Sequence, residues 1–137
     1  MATVKRFEDL EIWQLARKQA NELWKLYCEG TFAKDYELRN QIIRSSGSVM
    51  DNIAERFERT GNKEFINFLL ISKASNGEVR SQLYRAFDRL HINQEKFDEL
   101  KNKTENLSKK ITAFIKYLKD SEFKGFRYTL RTLNFEP

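Results

Sequence analysis

Helix breakers are scarce in this chain. Among 137 residues there are one proline and five glycines, so long uninterrupted helices are allowed and a strand-and-turn architecture is disfavoured. A single cysteine, Cys28, excludes an intrachain disulfide. A single histidine, His91, excludes within one chain the paired Glu-x-x-His arrangement from which bundles build dinuclear metal centres. The opening stretch MATVKRFEDLEIW holds no apolar run long enough for a signal peptide or a membrane span, so the expected compartment is the cytoplasm, without membrane contact. Charge of one sign is not concentrated anywhere. The 25 Lys and Arg against 20 Asp and Glu leave a net +5 with both signs interleaved, which favours polyanionic partners only mildly.

Catalytic signatures are missing as well. No GxSxG, P-loop or dinucleotide fingerprint occurs. The nearest approach to a ligand spacing is DRLH, Asp88 to His91, at a helix end where such residues are usually solvated. Nothing in the sequence orients His91 toward Cys28 or supplies a third group, and the lone thiol reads as a small packing residue. The expectation is a protein with no catalytic residue, no metal and no cofactor.

What is present is helical periodicity. Leu10, Trp13, Ala16, Ala20, Leu23, Trp24 and Tyr27 line one face of a first helix, about Glu8 to Cys28, with Gly30 as its stop. Asp35 can cap a second through about Phe57, whose broad face carries Leu38, Ile42, Ile43, Val49, Met50, Ile53, Ala54 and Phe57. In a third, Asn62 to Leu90, the residues Phe65, Leu69, Ser72, Asn76, Val79, Leu83, Ala86 and Leu90 alternate by four and three. Phe97, Leu100, Thr104, Leu107, Ile111, Phe114 and Leu118 repeat that spacing in a fourth, Gln94 to Lys119. Short links favour antiparallel neighbours, so the predicted fold is all-α, an antiparallel up-down-up-down four-helix bundle over residues 1–119 followed by a basic and aromatic tail over 120–137. That length suffices for one core.

The stretch RSSGSVMDNIAERFER, Arg44 to Arg59, has helical rhythm but carries polar residues where a core helix would have leucine. At 100° per residue, Gln41, Ser45, Ser48 and Asn52 fall along one edge of the apolar face, while Ser72 and Asn76 sit in the seam of the third helix. Buried amides and hydroxyls must be paired or cost about 1 to 3 kcal/mol each. The economical reading is a polar layer that fixes helix register, with Ser46 and Gly47 permitting close approach. The same edge also suits a ligand or a partner subunit.

Cations suggest a second kind of site. Lys96, Lys103 and Lys110 recur every seven residues, a row about 10.5 Å apart at 1.5 Å per residue that can track a nucleic-acid backbone. Lysines beside a seam more commonly lay their stems on the core and keep their heads in water. In the tail, Lys124, Arg127 and Arg131 interleave with Phe123, Phe126 and Tyr128, a combination suited to stacking on single-stranded bases. Its apolar content favours docking onto protein instead.

Three ordered segments carry a family resemblance: FEDLEIWQLA, QIIRSSGSVMDNIAER and EFINFLLISKASNGEVRSQL. Over about residues 7–119 the chain resembles the bacterial four-helix-bundle proteins encoded in intervening sequences of 23S ribosomal RNA genes. The family hallmark Ser-Ile-x-x-Asn-Ile-Ala-Glu-Gly maps onto Ser48, Val49, Asn52, Ile53, Ala54 and Glu55. A second, Ser-x-x-Glu-Leu-x-x-Gln-Leu, maps onto Ser75, Glu78, Val79, Gln82 and Leu83. Arg56 stands where the family has Gly, and Glu58 occupies another commonly small position. The resemblance implies a homopentamer with a central channel. A similar protein is the basic accessory factor of reverse transcriptases in diversity-generating retroelements, which implies RNA or a ribonucleoprotein as partner. No catalytic residue transfers; Asn52, Glu55, Glu78 and Gln82 transfer as motif positions. The expected function is therefore a non-enzymatic oligomeric scaffold that contacts RNA electrostatically, the alternative being a protein assembly factor with no nucleic-acid role.

Overall fold

The computed structural model describes residues 6–55, 57 and 62–121, and among them all regular structure is helical. A 3-10 turn at Phe7–Asp9 leads into α1, Glu11–Tyr27; a short α2, Gly30–Lys34, precedes α3, Tyr36–Glu55, and then come α4, Asn62–Asp88, and α5, Gln94–Ser121. The four long helices form the predicted antiparallel bundle. Each packs on two neighbours, α3 on α1 and α4, α5 on α4 and α1, so α1 and α4 lie across a diagonal. The tail from residue 122 onward, with Lys124, Arg127 and Arg131, lies outside the described residues, as does Arg56.

The two heptad seams are buried as their spacing requires. From α4, Phe65, Leu69, Ser72, Asn76, Val79, Leu83 and Ala86 face inward, and from α5 Phe97, Leu100, Thr104, Leu107, Ile111, Phe114 and Leu118 meet them. Each buried leucine, isoleucine or phenylalanine side chain stabilises by about 1.5 to 3 kcal/mol relative to exposure, so these seams and the buried faces of α1 and α3 together carry the core energetics.

Local chemistry sets the helix ends. Asp35 caps α3, its Oδ1 accepting the Leu38 backbone N–H at 3.3 Å, and Asn93 caps α5 through the Lys96 N–H at 2.8 Å. Gly30, at φ +63°, takes the left-handed conformation that follows the end of α1. Leu90 does the same after α4 at φ 62°. The His91 N–H reaches the Ala86 carbonyl at 2.9 Å and the Leu90 N–H reaches Phe87 at 3.0 Å, the bond pair of a Schellman motif.

That motif corrects one expectation. Leu90 is not the last seam residue of α4 but a helix terminator, 85% exposed. In α1 the face is rotated from the expected one: Trp24 is exposed, stacked edge-on against Tyr27, while Ile12 and Gln19 are buried. Cys28 is exposed rather than a packing residue. Gly47 supports no close approach within the chain, because a Cβ there would meet nothing within 4 Å. The link expected between the first two long helices contains α2, whose Phe32 is buried.

The α2–α3 corner is tied to the α4–α5 turn by one carboxylate. Asp35 Oδ2 accepts from His91 Nε2 and from Arg89 Nη1, each at 2.8 Å. His91 Nδ1 meets the Thr31 hydroxyl at 2.8 Å, and its ring stacks on Phe32. The structure thus orients His91 through Thr31 and Asp35, partners that sequence reading did not supply. The bonds from His91 and then Arg89 hold the Asp35 carboxyl down at about 2.

Two expectations follow. Leu90→Gly removes the steric cost of a left-handed leucine and raises stability by about 1 kcal/mol in urea unfolding. Asp35→Asn keeps a capping oxygen but loses the charge. Because the folded carboxyl titrates below its unfolded value, its stabilisation is complete above about pH 4 and is lost as pH falls toward 2. The difference between wild type and Asp35→Asn in urea unfolding is therefore greatest near neutrality and shrinks over that window.

Candidate functional site

Asn76 sits on the inner face of α4 with no measurable exposure. Its amide N–H groups donate to the Thr104 carbonyl and the Ser108 hydroxyl of α5, both at 2.8 Å. Its oxygen accepts from Gln19 Nε2 of α1 at 2.9 Å. Thr104 Oγ1, 2.8 Å from the Leu100 carbonyl and 3.2 Å from Gln19 Oε1, closes the network. Three helices meet at this knot, and the Gln19–Asn76 bond joins the diagonal pair. Gln19 escaped the sequence reading because it is polar, although Ile12, Ala16, Gln19 and Leu23 recur at four, three and four residues.

A second polar strip runs between α3 and α4. Ser72 donates to the Val49 carbonyl at 2.6 Å, and the Ser48 and Ser75 hydroxyls meet at 2.8 Å. Asn52 turns back on its own helix, donating to the Ser48 carbonyl and hydroxyl at 2.8 and 2.9 Å. Ser45 donates to Glu78 at 3.3 Å and accepts from Gln82 Nε2 at 3.0 Å. Ser46 returns its hydroxyl to the Ile42 carbonyl at 2.7 Å. Arg85 and Gln41 bond across the same pair of helices. Gln82 Oε1 is buried with no hydrogen-bond partner among the described residues. Glu55 is exposed at the end of α3.

Cations fall into two groups. The row Lys96, Lys103 and Lys110 is already engaged by carboxylates of the same chain. Lys96 lies 2.9 Å from Glu99, and Lys103 bridges Glu22 at 2.9 Å and Glu99 at 3.3 Å. Lys110 is buried against Glu11. The bond to Glu22 raises the Lys103 ammonium, and the bonds from Lys96 and Lys103 lower the Glu99 carboxyl. Lys110 therefore presents no free ammonium to a phosphate, and the other two present theirs beside a carboxylate.

The other group was not singled out from sequence. A groove of about 810 Å³ between α4 and α5 is lined by Lys73 and Arg80 from one helix and Lys109 and Lys116 from the other. None of these four makes an ion pair or hydrogen bond among the described residues. Among the described residues the only carboxylate lining it is that of Glu105, which lies 3.5 Å from Lys101. The sequence signal was the seven-residue spacing within each pair; what it lacked was the register that sets one pair beside the other. Among the described residues no group of three or more His, Cys, Asp or Glu side chains is placed to hold a metal, and no helix is long and apolar enough to cross a membrane.

The knot makes its own prediction. Asn76→Leu strands Gln19 Nε2 and removes both side-chain bonds to α5, and should cost about 2 to 4 kcal/mol in urea unfolding with little loss of helical circular dichroism. Adding Gln19→Leu removes a stranded partner, so the double variant should lose less than the sum of the single ones.

Comparison with known proteins places this architecture. The family model described as 23S rRNA-intervening sequence protein matches residues 8–113. A solved structure, that of a protein of unknown function from the S23 ribosomal protein family of Bacteroides thetaiotaomicron VPI-5482, is similar with a TM-score of 0.69 and 22% identity. The likeness covers 77% of this chain and 98% of that one, and at such identity it speaks for the fold alone. No curated protein matches the chain. The family match runs from the 3-10 turn into α5 and takes in the Asn76 knot and the α3–α4 strip. This helical bundle belongs to the 23S rRNA-intervening sequence protein family.

Proposed function

We propose that the protein is a non-enzymatic, self-assembling scaffold of the cytoplasm that engages RNA through its phosphates. The observation that supports this reading is a contrast within the chain. The interior polar groups of the Asn76 knot are spent on one another, so they set register and leave no converging group for a reactant. The surface of α4, by comparison, carries unmatched groups of two kinds. Leu70 and Ile71, consecutive on the helix, are 47% and 49% exposed. Lys73, three residues after Leu70, and Arg80, one heptad further, are cations with no ion pair among the described residues.

Apolar surface left exposed beside cations suits another protein surface, and a second copy of the chain is the simplest occupant. The family resemblance favours a ring of five copies. Repetition of a modest charge around such a ring would concentrate a field that a single +5 chain lacks.

Light scattering at micromolar concentration should give a mass several times that of the 16.4 kDa chain, and Ile71→Asp should shift it toward monomer without loss of helix. An RNA titration should show affinity falling steeply with salt, as counterion release requires. A stable monomer removes the assembly half of the reading. An assembled protein without RNA affinity at low salt supports the alternative of a protein assembly factor.

A further inference from the structure

We propose that the α4–α5 groove is the RNA site and that it takes an unpaired strand, the sugar–phosphate backbone running along Lys116, Lys73, Lys109 and Arg80 and one base stacking on Tyr84. This rests on the RNA-binding reading and adds to it a location and a form of RNA.

Register supplies the first argument. Asn76 bonds to Thr104 and Ser108, and Asn62 at the start of α4 bonds to Leu118 near the end of α5. Antiparallel helices held at those two points bring Lys73 level with Lys109. Lys116 lies one rung toward the start of α4, and Arg80 one rung toward its end. The rungs are seven residues apart, about 10.5 Å at 1.5 Å per residue, or about three rises of ~3.4 Å along a strand. The result is a line of positive charge along the groove rather than a scatter of solvated lysines.

The second argument is the state of those charges. Like charges set side by side without carboxylates repel, a cost that a row of phosphates converts into attraction. Elsewhere on α5 the opposite arrangement holds, with Lys96, Lys103 and Lys110 each answered by a glutamate. Glu105 is the one acidic side chain lining the groove among the described residues, and Lys101 partners it. Between the cations the floor is low, formed by Gly77, Thr112 and Ala113, and a Cβ at Gly77 would meet nothing within 4 Å.

Tyr84 decides the form of RNA. It follows Lys73, Gly77 and Arg80 at intervals of four, three and four, so it continues the same face of α4 at the end of the groove. The ring is 45% exposed and is braced edge-on by Phe97 at 4.8 Å. Lys101 Nζ lies 6.0 Å from its centroid, at the outer edge of cation–π range, where a base can replace it. An exposed, braced aromatic at the end of a cationic groove matches the pattern of single-strand binding, since a base must be unstacked to use it. Neighbouring helix axes are only about 8 to 10 Å apart, so the groove between them admits one backbone and not a duplex.

The test uses a labelled 20-nucleotide oligouridylate, the same length of duplex RNA, and the full chain as wild type and four variants, each checked for equal oligomer mass and melting temperature. Changing Lys73, Arg80, Lys109 and Lys116 to Gln should weaken oligouridylate binding at least 10-fold and reduce the slope of log affinity against log salt by about 3, at ~0.7 per lost phosphate contact. Changing the exposed Lys18, Lys25, Lys34 and Arg44 of α1, α2 and α3 to Gln removes the same net charge and should leave that slope unchanged. Tyr84→Leu should weaken the oligouridylate about 5- to 150-fold without altering the slope or the weaker duplex binding, while Tyr84→Phe should bind as wild type. If the two Gln variants behave alike, the groove is not the site although the RNA reading stands. If Tyr84→Leu matches wild type, or duplex binds as well as single strand, the unpaired-strand claim is wrong. No binding by wild type at low salt overturns the RNA reading and the site together.

Discussion

The Gln19–Asn76 hydrogen bond, reinforced by Thr104 and Ser108, is the constraint on which the remaining geometry depends. Two helices with apolar residues every three and four positions can slide by one heptad and still bury apolar surface, so the seams of α4 and α5 alone leave register weakly specified. An amide buried at Asn76 ends that freedom, because any slip would leave it and its partners desolvated and unpaired. The consequence reaches the surface. Only in this register does Lys73 stand beside Lys109 and Tyr84 rest on Phe97. A buried polar contact thereby sets the spacing of exposed charges that it never touches.

A different device closes one end of the bundle. Asp35 combines three tasks in one side chain: it caps α3 with one oxygen and receives His91 and Arg89 with the other. The left-handed Leu90 makes that possible by turning the chain sharply enough to bring His91 back over Phe32. Backbone strain at a non-glycine residue is tolerated because the surrounding bonds over-determine the turn. The knot fixes the helices along their length, and this corner fixes two of their connections to each other.

Much of this was legible in the sequence, and where it was not the reasons are physical. The seams of α4 and α5 read correctly from Phe65 to Ala86 and from Phe97 to Leu118 because strict heptad spacing admits few alternatives. The face of α1 was misjudged because tryptophan outweighs glutamine in any apolar count; Trp24 is outside and Gln19 inside because Gln19 has buried partners from two other helices. Leu90 continued the seam numerically, yet the helix had ended. The lysine row at 96, 103 and 110 was visible on one helix, but the glutamates that engage it include Glu11 and Glu22 of α1, which spacing along α5 cannot foresee. The α4–α5 groove has the converse problem: each of its lysine and arginine pairs is visible, and their juxtaposition exists only after folding. The tail cations Lys124, Arg127 and Arg131 lie outside the described residues.

The sequence distance spanned by the knot also orders events during synthesis. Thr104 and Gln19 are 85 residues apart, and α1 packs on α5 as well as on α3. At about 5 to 20 residues per second, α1 waits roughly 4 to 17 seconds on the ribosome before its second wall exists. During that interval α3 and α4 can already close as a hairpin of neighbours, whereas Gln19 keeps its amide in water. A polar residue at the centre of the α1 face makes this waiting state less adhesive than a leucine would, since it withholds part of the apolar stripe that another nascent chain could seize. The residue that specifies the finished register thus also lowers the hazard of the unfinished one.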